Sequence, residues 1–140
     1  MTTEGFEKKR LVEPPVTETT QEFWDATRAK QLLLQWCVPC DEPVWFPREV
    51  CPNCRGSALE WRPSPGRGEV YAFTVEHRPT MPTPFGDAPY VVALIELAEG
   101  PRLMTNVVGC EPDAVAVGMA VQVAWEELSD GRHLPLFEPT

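Results

Sequence analysis

The sequence predicts a mainly β chain: an N-terminal helix, a cysteine-knuckle ribbon of rubredoxin-like type, and a five-stranded barrel of the OB type. Two C-x-x-C pairs, Cys37/Cys40 and Cys51/Cys54, stand ten residues apart. After them come five short strand-like segments punctuated by Gly and Pro turns. A long interruption between the first two of these and a small helical link before the fourth give the spacing of a Greek-key barrel. With 140 residues, 43% of them apolar, the chain suits one domain or a small domain with an appended module. The expected division is a flexible arm over 1–19, helix plus ribbon over 20–66, and OB-fold over 67–140.

The arm carries Pro14-Pro15 and no hydrophobic period. Thr19 or Thr20 can cap a helix, with Glu22 completing a capping box, and Phe23, Trp24 and Thr27 then share one stripe. This places a helix over about Thr20 to Lys30. Phe23 and Trp24 are read first as core anchors, and second as a helix face that docks on a partner or lines a ligand groove. The segment LLLQW extends as a strand into Cys37. RGSALEWRPSPGRGEV reads as a connector. In GEVYAFTVEHR, Tyr71, Phe73 and Val75 alternate with polar or small residues, which marks a half-buried strand. The loop from Arg78 to Pro89 holds four prolines, with Met81 and Phe85 as its apolar residues. YVVALIEL, RLMTNVVGC and the stretch holding Val121, Val123 and Trp125 supply further strands, with a 3₁₀ link after Pro112. Ser129-Asp130-Gly131 signals a hairpin turn, and HLPLFEP closes the barrel, with Pro135 pointing to an edge or bulge.

A C-x-x-C turn directs two sulfurs to one side, and two such turns facing each other make a tetrahedral S₄ cage. Zinc fits this cage better than iron, since nothing in the sequence implies an electron partner. Such a cage leaves no position open for water or substrate, so Cys37, Cys40, Cys51 and Cys54 imply a structural metal that folds a segment too small for its own core. The excursion DEPVWFPREV is long enough to lay Trp45 and Phe46 over the site. Asp41 and Arg55 follow the second cysteine of each pair; Asp accepts a left-handed backbone more readily than Arg.

Reactive constellations are missing from the sequence. Cys110 is followed by acids, which favour its neutral thiol. His77 and His133 each sit beside an arginine and read as surface histidines. The three serines stand in no G-x-S-x-G, and no phosphate-binding glycine motif occurs. The net charge of -9 is concentrated from Glu69 to Thr140, where eleven acids face three bases. That field disfavours a nucleic-acid backbone. No apolar run reaches membrane-helix length, and the polar N-terminus lacks a signal-peptide core, so a cytoplasmic, reducing setting is expected.

The run F-W-D-A, C-x-x-C, W-F-P-R, C-P-N-C, P-G-R-G-E-V-Y, P-Y-V-V-A-L-I-E-L, G-P-R-L-M-T-N-V-V-G, V-G-M-A-V-Q-V, L-P-L-F-E-P resembles, from about Thr20 to Pro139, a family once labelled a domain of unknown function. Its members pair a rubredoxin-like zinc ribbon with an OB-fold and are associated with acyl-CoA enzymes. The resemblance implies a non-catalytic subunit, not an enzyme on its own. Its partner would be a thiolase-fold protein such as a thiolase, an acyltransferase or a steroid-CoA side-chain aldolase, in a heterotetramer with acyl-CoA near the interface. Phe23, Trp24, Met81 and Phe85 are then candidate partner contacts, and Arg62 and Arg67 candidate contacts to CoA phosphates. Two alternatives stand beside this reading. One is a stand-alone acyl-CoA-binding module. The other is a single-stranded nucleic-acid binder stacking bases on Tyr71, Phe73 and Trp125, which the acidic C-terminal half disfavours.

Overall fold

A computed structural model describes residues 12–78 and 89–140. Its first element, helix α1 (Gln21–Thr27), is shorter than expected: the i→i−3 bonds of Arg28, Ala29 and Lys30 wind it into turns that end at Lys30, φ 57°. The expected capping box does not form. Thr20 is the N-cap, but its hydroxyl accepts from the Thr17 backbone N–H at 3.0 Å instead of serving the helix.

Strands β1 (Leu32–Cys37), β2 (Glu42–Val44) and β3 (Leu59–Ser64) form an antiparallel sheet in the order β2-β1-β3. β3 corrects the sequence reading. Within the segment whose composition predicts a connector, residues 59–64 pair with β1 from Leu32↔Ser64 to Cys37↔Leu59. Its Gly and Pro residues hid a strand whose Pro63 sits on a sheet edge, where a missing N–H is tolerated.

The barrel is closed, in the order β4-β5-β6-β8-β7, with β4 (Arg67–Glu76), β5 (Tyr90–Leu97), β6 (Arg102–Val107), β7 (Ala120–Glu127) and β8 (His133–Pro139). A 3₁₀ turn at Pro112–Ala114 precedes β7. β5 shows strict alternation: Val91, Ala93, Ile95 and Leu97 are buried. In β4 a bulge between Val70 and Ala72 shifts the register, so Tyr71 leaves the inward face. It is exposed and lies under the Arg102 guanidinium at 3.7 Å. Phe73, Val75, Val123 and Trp125 do pack against the core. β6 meets β8 through the parallel pair Val107↔Phe137, with the Val108 N–H donating to the Phe137 carbonyl and Thr105 Oγ1 donating to the Pro135 carbonyl, each at 2.8 Å.

One apolar core joins the two sheets. Phe23, Trp24, Leu32 and Leu34 from the helix and ribbon share it with Val70, Ile95, Val121 and Phe137 of the barrel. His133, read as a surface histidine, is half-buried and ties helix to barrel. Its backbone N–H donates to Thr27 Oγ1 at 3.1 Å, and its Nδ1 meets the Thr27 carbonyl at 2.8 Å. Arg132 is buried over the Trp24 ring, and its guanidinium binds Asp130 at 2.7 Å and the Pro14 carbonyl at 2.8 Å. Glu13 accepts from both the N–H and the hydroxyl of Ser129, which holds its carboxyl below the usual range. Residues 13–14 are thereby strapped to the β7–β8 turn.

Gly68 of β4 lies tight against β5, and a Cβ there would run into the Glu96 carbonyl oxygen. Backbone atoms cannot rotate away, so Gly68→Ala is expected to cost about 2 kcal/mol, read as a lower urea midpoint at unchanged slope. An unchanged midpoint contradicts the close approach.

Candidate functional site

Cys37 ends β1, Cys40 lies in the turn to β2, and Cys51 and Cys54 lie in a second turn before β3. All four sulfurs fall within 4.8 Å of one another. The Cys37–Cys54 and Cys40–Cys51 separations are 3.6 and 4.0 Å. A tetrahedral S₄ site with metal–sulfur bonds of about 2.3 Å has sulfurs about 3.8 Å apart, so the donor set fits zinc without rearrangement. Cys37 and Cys51 are buried, and with Val44 they form the small second core of the molecule, Cys40 and Leu59 packing against it.

Backbone N–H groups surround the sulfurs. Asn53 N–H donates to Cys51 Sγ at 3.3 Å, and Gly56 N–H donates to Cys54 Sγ at 3.4 Å. The Asn53 side-chain amide donates to Cys40 Sγ at 3.3 Å. Each knuckle closes by a backbone bond of 2.8 Å, Asp41 N–H to the Cys37 carbonyl and Arg55 N–H to the Cys51 carbonyl. Both Asp41 and Arg55 take the left-handed backbone that this closure needs, φ 53° and 62°.

The sulfurs differ in acidity when no cation balances them. N–H groups of Cys54 and Asn53 hold Cys51 down to about 7 against burial. At Cys37 the Cys40 N–H acts the same way, but burial and the neighbouring thiols outweigh it and push the thiol up to about 12. Clustered thiols cannot all ionise in a half-dry site without a cation among them.

The excursion between the knuckles departs from expectation. Trp45 and Phe46 do not cover the sulfurs. Buried Gln35 grips the loop, exchanging hydrogen bonds of 2.8 Å with the Arg48 backbone N–H and carbonyl. This turns Trp45 toward Phe23, with ring centroids 5.8 Å apart. An apolar groove of about 340 Å³ results, walled by Phe23 and Trp24, by Trp45–Pro47, and by the lips of the β6–β8 seam. Phe23 and Trp24 are thus core residues that also line a groove.

The remaining candidates are dispersed. Arg62 on β3 stacks over Trp36 at 4.7 Å and pairs with Glu60. Arg67 is exposed at the start of β4, in the other sheet. Met81 and Phe85 lie outside the described residues. Met104, Glu42 and Glu99, which flank the groove and an adjoining cleft, carried no signal in the sequence, because their role depends on which strands meet. Cys110 packs against the core and His77 is exposed at the end of β4.

Comparison with known proteins matches two adjoining segments of the chain. Residues 24–60 match the family described as "ChsH2, rubredoxin-like zinc ribbon domain", and residues 61–126 match "ChsH2, C-terminal OB-fold domain". A "DUF35 domain-containing scaffold protein" of Methanothermobacter thermautotrophicus is 34% identical over 118 residues, covering 82% of this chain and 86% of its own. The chain belongs to the DUF35 family. This DUF35 protein is also 37% identical, over 135 residues and 95% of its length, to a "Probable enoyl-CoA hydratase alpha subunit" of Thermomonospora curvata, of which the match covers 42%. The chain therefore spans about two fifths of that relative. Among solved structures, a chain of "Ltp2-ChsH2(DUF35) aldolase" superposes with a TM-score of 0.81 at 35% identity, covering 91% of this chain and 98% of that one.

Arg55 bears a side chain at a backbone conformation that glycine adopts without penalty. Arg55→Gly is expected to raise metal affinity about five-fold, the equivalent of about 1 kcal/mol of relieved strain. Competition with a chromophoric chelator reads it, and weaker metal retention contradicts the strained-knuckle geometry.

Proposed function

We propose that this DUF35 protein is a non-catalytic subunit that supports a thiolase-fold enzyme acting on acyl-CoA thioesters, with an aldolase as the first choice of reaction. Cys37, Cys40, Cys51 and Cys54 hold a structural zinc ion. When bound, zinc contributes folding energy and no open coordination position. The carrying observation is the closed cluster: four protein sulfurs satisfy a tetrahedral ion, and among the described residues no second group of metal-ligating side chains occurs. The helix and ribbon (20–66) brace the barrel (67–140) as one platform. The complex is cytoplasmic, in keeping with reduced thiols; no helix among the described residues is long and apolar enough to cross a membrane. It is a heterotetramer with acyl-CoA near the subunit interface.

Three points support a partner-borne chemistry. His133 is occupied with Thr27, Cys110 packs against the core, and His77 is exposed after the end of β4. The names of the relatives, a scaffold protein, a hydratase alpha subunit and a component of a two-protein aldolase, point to multi-subunit acyl-CoA enzymes. The acidic barrel disfavours nucleic acid.

Co-expression with each thiolase-fold protein encoded near this chain is the test. One of them is expected to co-elute with it and to cleave acyl-CoA thioesters only in its presence, while the chain alone turns over none. A chain that stays monomeric beside all of them and leaves their activities unchanged contradicts the proposal, as does turnover by the chain alone.

A further inference from the structure

We infer that the partner docks on the ridge formed by Trp45 and Phe46, and that its docking segment pairs apolar side chains with at least one Lys or Arg. This rests on the partner reading above and adds where, and by what chemistry, the subunits meet.

Trp45 and Phe46 line two depressions at once. On one side lies the apolar groove, whose lip carries Met104. On the other lies a cleft between β2 and the β5–β6 turn, lined by Glu42, Glu99 and Arg102 among others. Two large apolar side chains crown this face, Phe46 at 64% and Met104 at 73% exposure. Neither belongs to the core of the free chain, and both are held forward by rigid supports, Phe46 by the Gln35–Arg48 clamp and Met104 by β6. Exposed aromatic and Met side chains around a formed groove are the composition of interface centres.

Charge identifies the occupant. Arg102 is already committed, to Glu96 at 2.9 Å and to the Tyr71 ring. Among the described residues Glu42 and Glu99 have no ion-pair partner, and Glu99 Oε1 is buried without any hydrogen bond. The cleft is therefore acidic and uncompensated next to an apolar groove free of charged side chains. A second copy of this acidic chain would bring like charge to it. A partner segment with apolar residues for the groove and a cation for the cleft satisfies both halves.

The test uses the co-purifying thiolase-fold protein and three variants of exposed residues, Phe46→Asp, Met104→Asp and Glu42→Lys, with Val117→Asp as a remote exposed control (68% exposed). All four are expected to keep the wild-type circular dichroism and metal content. Phe46→Asp and Met104→Asp should each weaken binding at least about ten-fold. Glu42→Lys should weaken it at low salt and flatten its salt dependence, and Val117→Asp should leave it unchanged. Wild-type binding that survives all three ridge variants overturns this inference and spares the partner reading. No binding by wild type overturns both. A homodimer dissolved by Phe46→Asp, or acyl-CoA binding by the isolated chain that Phe46→Asp abolishes, assigns the face to another occupant and overturns the inference.

Discussion

Four sulfurs within 4.8 Å of one another set the terms for the front of this molecule. As thiolates they repel by about 4 kcal/mol per pair at this separation in a partly buried setting. As thiols they are weak, ill-directed hydrogen-bonding groups. A dication reverses the balance and supplies free energy of about 10 kcal/mol or more. The apolar alternative is absent: around the knuckles only Val44 and Leu59 join the cysteines in a core. Two loops of this size cannot order themselves on so little buried surface, so the N–H groups of Asn53 and Gly56 and the left-handed residues Asp41 and Arg55 are arranged around the metal site.

What the cage orders is carried onward by backbone pairing. Cys37 is the last residue of β1, which pairs on both sides and sends Leu32 and Leu34 into the barrel's core. Gln35 of the same strand clamps the loop that raises Trp45 and Phe46. The helix is fixed to the barrel from the other end by Thr27, His133 and the Arg132–Trp24 stack. A metal site at one end thus positions an apolar ridge beside the barrel. In these terms the chain offers a stiff, shaped surface.

Much of this was legible from residues alone. The cysteine spacing encodes a local turn geometry, and the period-2 pattern of YVVALIEL or VQVAW encodes a strand with one buried face, so both could be read without knowing the neighbours. β3 was not readable, because LEWRPS takes its strand conformation from the six-position pairing with β1 and not from its own propensity. Tyr71 was misplaced by one bulged residue, which inverts the face of a strand. His133 gave no sign of its partner, since Thr27 is more than a hundred residues away in sequence. Trp45 and Phe46 lie away from the metal site because the loop is tied through Arg48 to buried Gln35 and packs Trp45 against Phe23. Local chemistry was therefore visible, and surfaces assembled from distant strands were not.

The central claim is that the metal organises the fold and stays outside the chemistry. Cobalt substitution in the chain–partner complex tests it most directly. The account predicts the intense thiolate-to-metal absorption of a tetrahedral S₄ site, unchanged when acyl-CoA is added, with turnover within about two-fold of the zinc form. A spectrum that shifts as substrate binds, or a rate that follows the identity of the metal, would contradict it.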